Sequence, residues 1–242
     1  MAAKQRLDQA MAARELTATR SQAENWIRLG EVFVDGRQIT KPGYMVGEEA
    51  PIELRAKEQY VSRAGLKLAS VAKVLGLDFA GKVLLDVGSS TGGFTDYALQ
   101  HGAQKIIAVE VGTNQLHPSL IGHPKIELHE QTDIRDMHDL SSPPDVVVID
   151  VSFISLRDIL PSIAKLATKK TAIVAMVKPQ FEAAASNLKH KGVIKNDRMR
   201  RDILKDFEQW ARQHFVVVDK ADSEISGAKG NLERFYLLRK QQ

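Results

Sequence analysis

The stretch Leu84-Leu-Asp86-Val-Gly88-Ser-Ser-Thr-Gly92-Gly93-Phe94 decides the fold. An apolar run ends beside an acid, a glycine-rich turn follows, and a helical pattern opens at Gly93-Phe94. Glycine lets a backbone turn tightly and come close to a bound molecule, where a side chain would collide. A strand, such a turn and a helix together read as the start of an open α/β sheet, whose ligands sit at the carboxyl ends of the strands. A dinucleotide fingerprint would read G-x-G-x-x-G. Here Ser90 takes the second glycine position and Asp86 precedes the turn. That points away from a pyrophosphate and towards S-adenosylmethionine, whose ammonium group calls for a carboxylate or carbonyls. Ser89, Ser90, Gly92, Gly93 and Phe94 belong to the same expected pocket. Glu110 closes the second strand, 22 residues after Gly88, where it can accept both ribose hydroxyl hydrogens. The plainer alternative is a structural glycine turn in some other α/β protein.

Outward from this turn, apolar runs recur as Lys105-Ile-Ile-Ala-Val109, Lys125-Ile-Glu-Leu128, Asp145-Val-Val-Val-Ile149 and Thr171-Ala-Ile-Val-Ala-Met-Val177. Continuous apolar runs suit strands buried on both faces of a parallel sheet. Helical patterns lie between several of them, over 155–168 and 197–214, and two more strands follow at 215–218 and 234–238. The expectation for 61–242 is a doubly wound, Rossmann-like α/β domain with an extended end of the sheet. Residues 1–54 read differently, as two short helices and a small sheet. Leu7 and Met11, then Ala23, Trp26 and Ile27, recur at helical spacing. Asp35-Gly36 is a hairpin signal after Val32-Phe-Val34. Residues 55–60 read as a linker between a small α+β module and the larger domain.

Composition removes several chemistries. The 242 residues hold no cysteine, so there is no disulfide framework, thiolate metal site, iron–sulfur cluster or cysteine nucleophile. No metal is expected. The apolar runs fall far short of the roughly 18 residues that suggest a membrane span. No signal-peptide pattern opens the chain, so the expectation is a cytoplasmic protein with no membrane partner. Net charge is +4 and the pI about 9.2, mildly basic and compatible with nucleic acid. Residues 1–60 balance acid against base, but Lys4, Arg6, Arg14, Arg20 and Arg28 fall early and Glu48, Glu49 and Glu53 late. A neutral total can hide a basic face. A second basic strip includes Lys189, Lys191, Arg198, Arg200, Arg201 and Lys205 and follows the fifth strand of the domain. It reads as a phosphate track or, equally simply, as a solvated helix face.

Four charges sit where a crevice is expected. Asp150 ends the fourth strand, Lys178 ends the fifth, Glu233 starts the last, and Lys67 lies on the helix before the first strand, with Arg63 one helical turn earlier. Each alone has a bland reading: a surface lysine, a helix-capping aspartate, an edge glutamate. Together they are harder to dismiss, because charge at strand ends is costly to bury unless paired.

Five ordered blocks carry a family resemblance: Val61-Ser-Arg-Ala-Gly-Leu-Lys67, Asp86 to Phe94, Asp150-Val-Ser-Phe-Ile-Ser155, Val177-Lys-Pro-Gln-Phe-Glu182 and Ser226-Gly-Ala-Lys-Gly-Asn-Leu-Glu233. On these the chain resembles the TlyA (hemolysin A) family of ribosomal-RNA 2′-O-ribose methyltransferases, with an FtsJ-like catalytic half. The first segment, through Arg6-Leu-Asp8, Ser21-Gln-Ala23 and Gly30-Glu-Val-Phe-Val-Asp-Gly36, resembles the RNA-binding module of a small-subunit ribosomal protein. The resemblance implies a catalytic Lys67, Asp150, Lys178 and Glu233, S-adenosylmethionine as cofactor, and ribosomal RNA or a ribosomal subunit as partner. It implies Asp133 near the adenine, where Asn is often found, and Glu110 where Asp is commoner. The short form that the chain resembles is associated with a cytidine of the large-subunit RNA. The chemistry agrees: a ribose hydroxyl is a poor nucleophile, so catalysis needs in-line alignment and removal of one proton. Which lysine takes the proton stays open, as do the exact nucleotide and the oligomeric state. The competing readings are a non-catalytic RNA-binding or assembly factor, and a pore-forming hemolysin.

Overall fold

The computed structural model describes residues 4–17, 20–28, 30–55, 60–186, 192–194, 196–227 and 230–241, without the side chains of 21, 22 and 25. Most of the expected linker, and Lys189 and Lys191, lie outside the described residues. The chain divides into two compact units, residues 1–63 and 64–242.

In the first unit, strand β1 (Lys4–Arg6) runs into helix α1 (Leu7–Ala13), followed by α2 (Arg20–Arg28) and strands β2 (Val32–Val34), β3 (Arg37–Gln38), β4 (Met45–Gly47) and β5 (Ile52–Leu54). Leu7, Ala10 and Met11 of α1 and Ala23, Trp26 and Ile27 of α2 are buried, the i, i+3, i+4 stripe of paired amphipathic helices. β2 is the centre of an antiparallel sheet ordered β3-β2-β5. Asp35 and Gly36 both have positive φ, 50° and 72°, the type I′ turn that matches strand twist. β1 pairs antiparallel with β4 in a separate ladder. Sequence reading does not anticipate that ladder, because both strands are three residues long and too short to show a period.

The second unit opens on helix α3 (Arg63–Ala72). Its elements are β6 (Val83–Val87), α4 (Gly93–Gln100), β7 (Lys105–Val109), β8 (Ile126–His129), β9 (Val146–Ile149), α5 (Leu156–Leu166), β10 (Ala172–Val177), α6 (Pro179–Glu182), α7 (Asp197–His214), β11 (Phe215–Asp222) and β12 (Arg234–Lys240). Seven strands form one sheet ordered β11-β12-β10-β9-β6-β7-β8. The β6–β10 strands are parallel; β12 is antiparallel to both neighbours. This is the expected doubly wound sheet with an extended end. Leu85, Val87, Val147, Ile149, Ile173 and Ala175 share a core with Leu156, Ile159, Leu160 and Ile163 of α5 and Leu204, Phe207 and Ala211 of α7. Each such buried Val, Leu, Ile or Phe side chain contributes about 1.5–3 kcal/mol. Alternate residues point to the opposite face, where Asp86 meets Thr95 of α4 and Phe94 packs on Phe235 with centroids 6.1 Å apart. After β6 the chain builds outward through β7 and β8, then returns to lay β9 on the other side of β6. The crevice at the carboxyl ends of β6 and β9 is therefore the switch point at which such sheets bind ligands.

Candidate active site

The glycine turn is built as its sequence demands. Gly88 has φ +79°, and a Cβ there would lie 2.7 Å from the Asp150 carbonyl oxygen. Gly92 has φ +87°, and its Cβ would collide with Leu120 at 2.5 Å. A side chain at Gly88 would push the turn away from the Asp150 backbone, and one at Gly92 would displace the Leu116 and Leu120 side chains. Glu110, buried at the end of β7, accepts the N–H of Ser90 at 2.9 Å and of Gly112 at 2.8 Å. A carboxylate has about four acceptor positions, so Glu110 is fixed in place with acceptors to spare.

Gly88, Ser90, Glu110, Asp133 and Asp150 line a cavity of about 580 Å³, within the usual size range of small-molecule sites. Val111, Ile134, Val151, Ile154 and Ile159 supply apolar wall. Asp86, Ser89, Gly92, Gly93 and Phe94 lie behind it. Asp86 Oδ2 accepts the Thr95 hydroxyl at 2.7 Å, whereas Asp86 Oδ1 and Ser89 Oγ are sealed from solvent with no hydrogen-bond partner among the described residues. Burial pushes the Asp86 carboxyl up to about 7, opposed by the Thr95 hydrogen bond and reinforced by the nearby Asp150 and Glu110 charges. Asp133 caps the short 3-10 turn Ile134–Asp136 and is engaged by the Arg135 guanidinium, which holds it below the usual carboxylate range. The cavity wall also holds Gln115, Thr132, Arg135, Ser152 and Phe153, which sequence reasoning did not select.

The four charged residues meet as two ion pairs. Lys178 Nζ lies 2.6 Å from Asp150 Oδ1, and Lys67 Nζ lies 2.6 Å from Glu233 Oε2; all four are largely buried. Strand register explains the convergence. Val177 pairs with Arg234 at the end of the β10–β12 ladder, so Lys178 and Glu233 are the next residues at the same end of the sheet. Lys178 also donates to Ser152 Oγ at 2.8 Å. Beside this pair Phe153 is 91 % exposed, in the left-handed conformation with φ +66°. It rests on Phe181, centroids 5.2 Å apart. An aromatic three residues beyond a strand-end acid was the available signal. Trp26 and Phe94, by contrast, are buried, and Phe33 lies under the Arg55 guanidinium.

The expected RNA-contacting cations fall into three groups. Lys4, Arg28 and Arg198 are exposed. Arg6 and Arg20 converge on the buried Asp8, at 2.8 and 2.9 Å, and Arg14 donates to the carbonyls of Gly47 and Ala50. These three are therefore engaged inside the first unit. Arg63, at the start of α3, is partly buried. In the second strip Arg200 is held by Asp222 at 2.6 Å.

Comparison with known proteins agrees with this fold. Residues 60–241 match the FtsJ-like methyltransferase family and residues 5–52 the S4 domain. The chain is 33% identical to the 16S/23S rRNA (cytidine-2′-O)-methyltransferase TlyA of Mycobacterium tuberculosis, covering 100% of this chain and 92% of that protein. It is 43% identical to the 23S rRNA (cytidine-2′-O)-methyltransferase TlyA of Campylobacter jejuni over 74% of this chain and 70% of that one. Hemolysin A of Brachyspira hyodysenteriae is 37% identical over 94% and 97% of the two chains. A solved structure from Streptococcus thermophilus, described as a candidate hemolysin, superposes with a TM-score of 0.75 at 34% identity, covering 100% of this chain and 90% of that one. The chain belongs to the FtsJ-like methyltransferase family and carries an S4 domain ahead of its methyltransferase domain.

Proposed function

We propose that this protein transfers a methyl group from S-adenosylmethionine to the ribose 2′-hydroxyl of a cytidine in ribosomal RNA, with the large-subunit RNA as substrate. The observation that carries the reading is the pair of ion pairs, Lys178–Asp150 and Lys67–Glu233, at the sheet end beside the cavity. Both TlyA relatives are named for 23S RNA, which favours the large subunit. Catalytic roles for the four charged residues, and RNA contacts by the exposed cations, belong to this proposal.

The cavity fits the cofactor. Glu110 has free acceptors for ribose hydroxyls, the apolar wall suits an adenine, and Asp86 and Ser89 hold unpaired acceptor oxygens behind the glycine turn. Bound there, S-adenosylmethionine supplies a methyl group on a positively charged sulfur, which is already activated for displacement. What remains for the protein is alignment and one proton. Once the Lys178 ammonium has released its own proton to solvent, its amine can take the hydroxyl proton, and Asp150, 2.6 Å away, stabilises the ammonium that re-forms. Lys67 and Glu233 hold the acceptor side of the same sheet end. Phe153 offers an open aromatic face on which an unstacked base can lie; stacking of this kind is worth about 1–3 kcal/mol.

Among the described residues no helix is long and apolar enough to cross a membrane, so nothing in the helices favours the hemolysin name. The deciding experiment is methylation of large- and small-subunit RNA from cells lacking the protein, with modified nucleotides mapped by mass spectrometry. A 2′-O-methylcytidine in the large-subunit RNA is expected. Methyl groups on bases, or none at all from protein that binds S-adenosylmethionine, would overturn the reading.

A further inference from the structure

Glu182 is almost wholly buried, yet it does not touch the cavity. It ends α6, one turn after Lys178, and its carboxylate crosses to the start of α5. Oε1 accepts the Leu156 N–H at 2.7 Å, and Oε2 accepts the Ser155 hydroxyl at 2.7 Å. Ser155 is also the N-cap of α5, accepting the Arg157 N–H. The first N–H groups of a helix have no partner within it and carry a partial positive charge, so a carboxylate is at home there. Arg157 lies 3.7 Å from Glu182 and donates to Asp206 of α7 at 2.6 Å.

The two segments joined in this way are those that carry the reacting groups. Asp150, Ser152 and Phe153 precede Ser155; Lys178 and Phe181 precede Glu182. The Lys178 carbonyl accepts from both Phe181 and Glu182, so its backbone is part of the α6 turn that Glu182 anchors. The other segment contains Phe153 at positive φ, a conformation that a phenylalanine does not hold unaided. We propose that Glu182 is a positioning residue for methyl transfer: it clamps the loop after β9 to the turn after β10, and so sets the Lys178–Asp150 pair against the acceptor hydroxyl. This rests on the methyltransferase reading above. A misplacement of about 1 Å in such a pair costs roughly 10²-fold in rate.

The test uses the full-length protein with three substitutions, Glu182→Ala, Glu182→Gln and Ser155→Ala, plus Phe215→Ala at the far end of β11 as a destabilised comparison. Single-turnover methyl transfer, S-adenosylmethionine affinity by calorimetry and Tm are measured for each. Glu182→Ala should lose about 10–100-fold in rate while its cofactor Kd stays within about twofold. Glu182→Gln should recover most of the rate, because an amide oxygen still accepts the Leu156 N–H and its nitrogen can donate to Ser155. Phe215→Ala, assayed at the same depression below its Tm, should keep its rate. The proposal is overturned if Glu182→Ala transfers at the wild-type rate, if Gln is no better than Ala, or if both destabilised variants slow alike. A second readout needs no RNA: reductive dimethylation of Lys178, followed by mass spectrometry, should speed up in Glu182→Ala. Unchanged labelling overturns the clamp. Absent transfer by a wild-type protein that binds cofactor counts against the substrate reading instead, and the labelling still decides the clamp.

Discussion

Two aspartates show how environment sets the sign of a pH dependence. Arg6 and Arg20 hold the buried Asp8 carboxylate well below its usual range, Arg6 foremost. Its folded form binds fewer protons than the unfolded chain, so its stabilisation is present above about pH 4 and is lost as pH falls. Asp86 is the reverse. Burial raises it to about 7, so the folded state holds a proton that the unfolded chain has released between about pH 4 and 7. Its contribution is greatest near pH 4 and declines as pH rises to 7. Melting should show the first unit losing stability only as pH falls below about 4 and the methyltransferase domain losing it as pH rises from about 4 to 7, and Asp86→Asn should flatten that second decline. A decline unchanged in Asp86→Asn would exclude Asp86 as its source. At the reacting pair, Lys178→Ala and Asp150→Ala should each cut single-turnover transfer by at least 10²–10⁴-fold, the usual range for acid–base catalysis, with cofactor binding kept in Lys178→Ala. Lys178→Arg should not rescue, since a guanidinium does not give up its proton. Near-normal rates in both alanine variants would remove the pair from the mechanism.

Elements differ in how openly the sequence declares them. The parallel strands could be read directly, because strands covered on both faces must be apolar throughout. The polar half of β11 could not. Asp219-Lys-Ala-Asp222 lacks any apolar signal and joins the sheet only because β12 offers a ladder across a bulge at Val217/Asp219. Composition likewise marked Arg14 as a phosphate ligand, whereas the fold directs it to the carbonyls of Gly47 and Ala50, more than thirty residues away. Charge alone cannot tell a surface cation from a buried brace; only the return of β4 to the end of α1 does. Arg14→Ala should therefore destabilise the S4 domain by about 1–3 kcal/mol and leave cofactor affinity unchanged. Unaltered melting with weaker RNA binding would restore Arg14 to the RNA surface. The charged residues of the site were legible as positions at strand ends, but their pairing was not. The register of β10 and β12, which no local pattern encodes, brings Glu233 to the Lys178 end of the sheet, and Lys67 meets it there from α3.

At the scale of the molecule, the proposed function divides the work between the S4 domain and the methyltransferase domain. On the proposed function, with Arg6, Arg14 and Arg20 held by partners in the S4 domain, the exposed Lys4, Arg28, Arg37 and Lys41 are the cations expected to meet phosphates. Each neutralised phosphate contributes about −0.9 to the slope of log affinity against log salt on a duplex. A shortened chain of residues 60–242 should bind S-adenosylmethionine normally but bind RNA more weakly, with a slope shallower by about 3–4. A cut at residue 54 controls for loss of the connecting segment. An unchanged slope would assign the S4 domain to another partner. The placing of β12 has a consequence in time. It is synthesised after both of its neighbours, yet it lies inside the sheet between β10 and β11. Translation runs at about 5–20 residues per second, so β10 waits roughly 3–12 s for its neighbour. Through that interval a nascent chain presents the apolar edge Ala172–Val177 unpaired and has no Glu233 to meet Lys67. The vulnerable moment in this protein's life falls while it is still being made, and any chaperone that guards it must act on that edge.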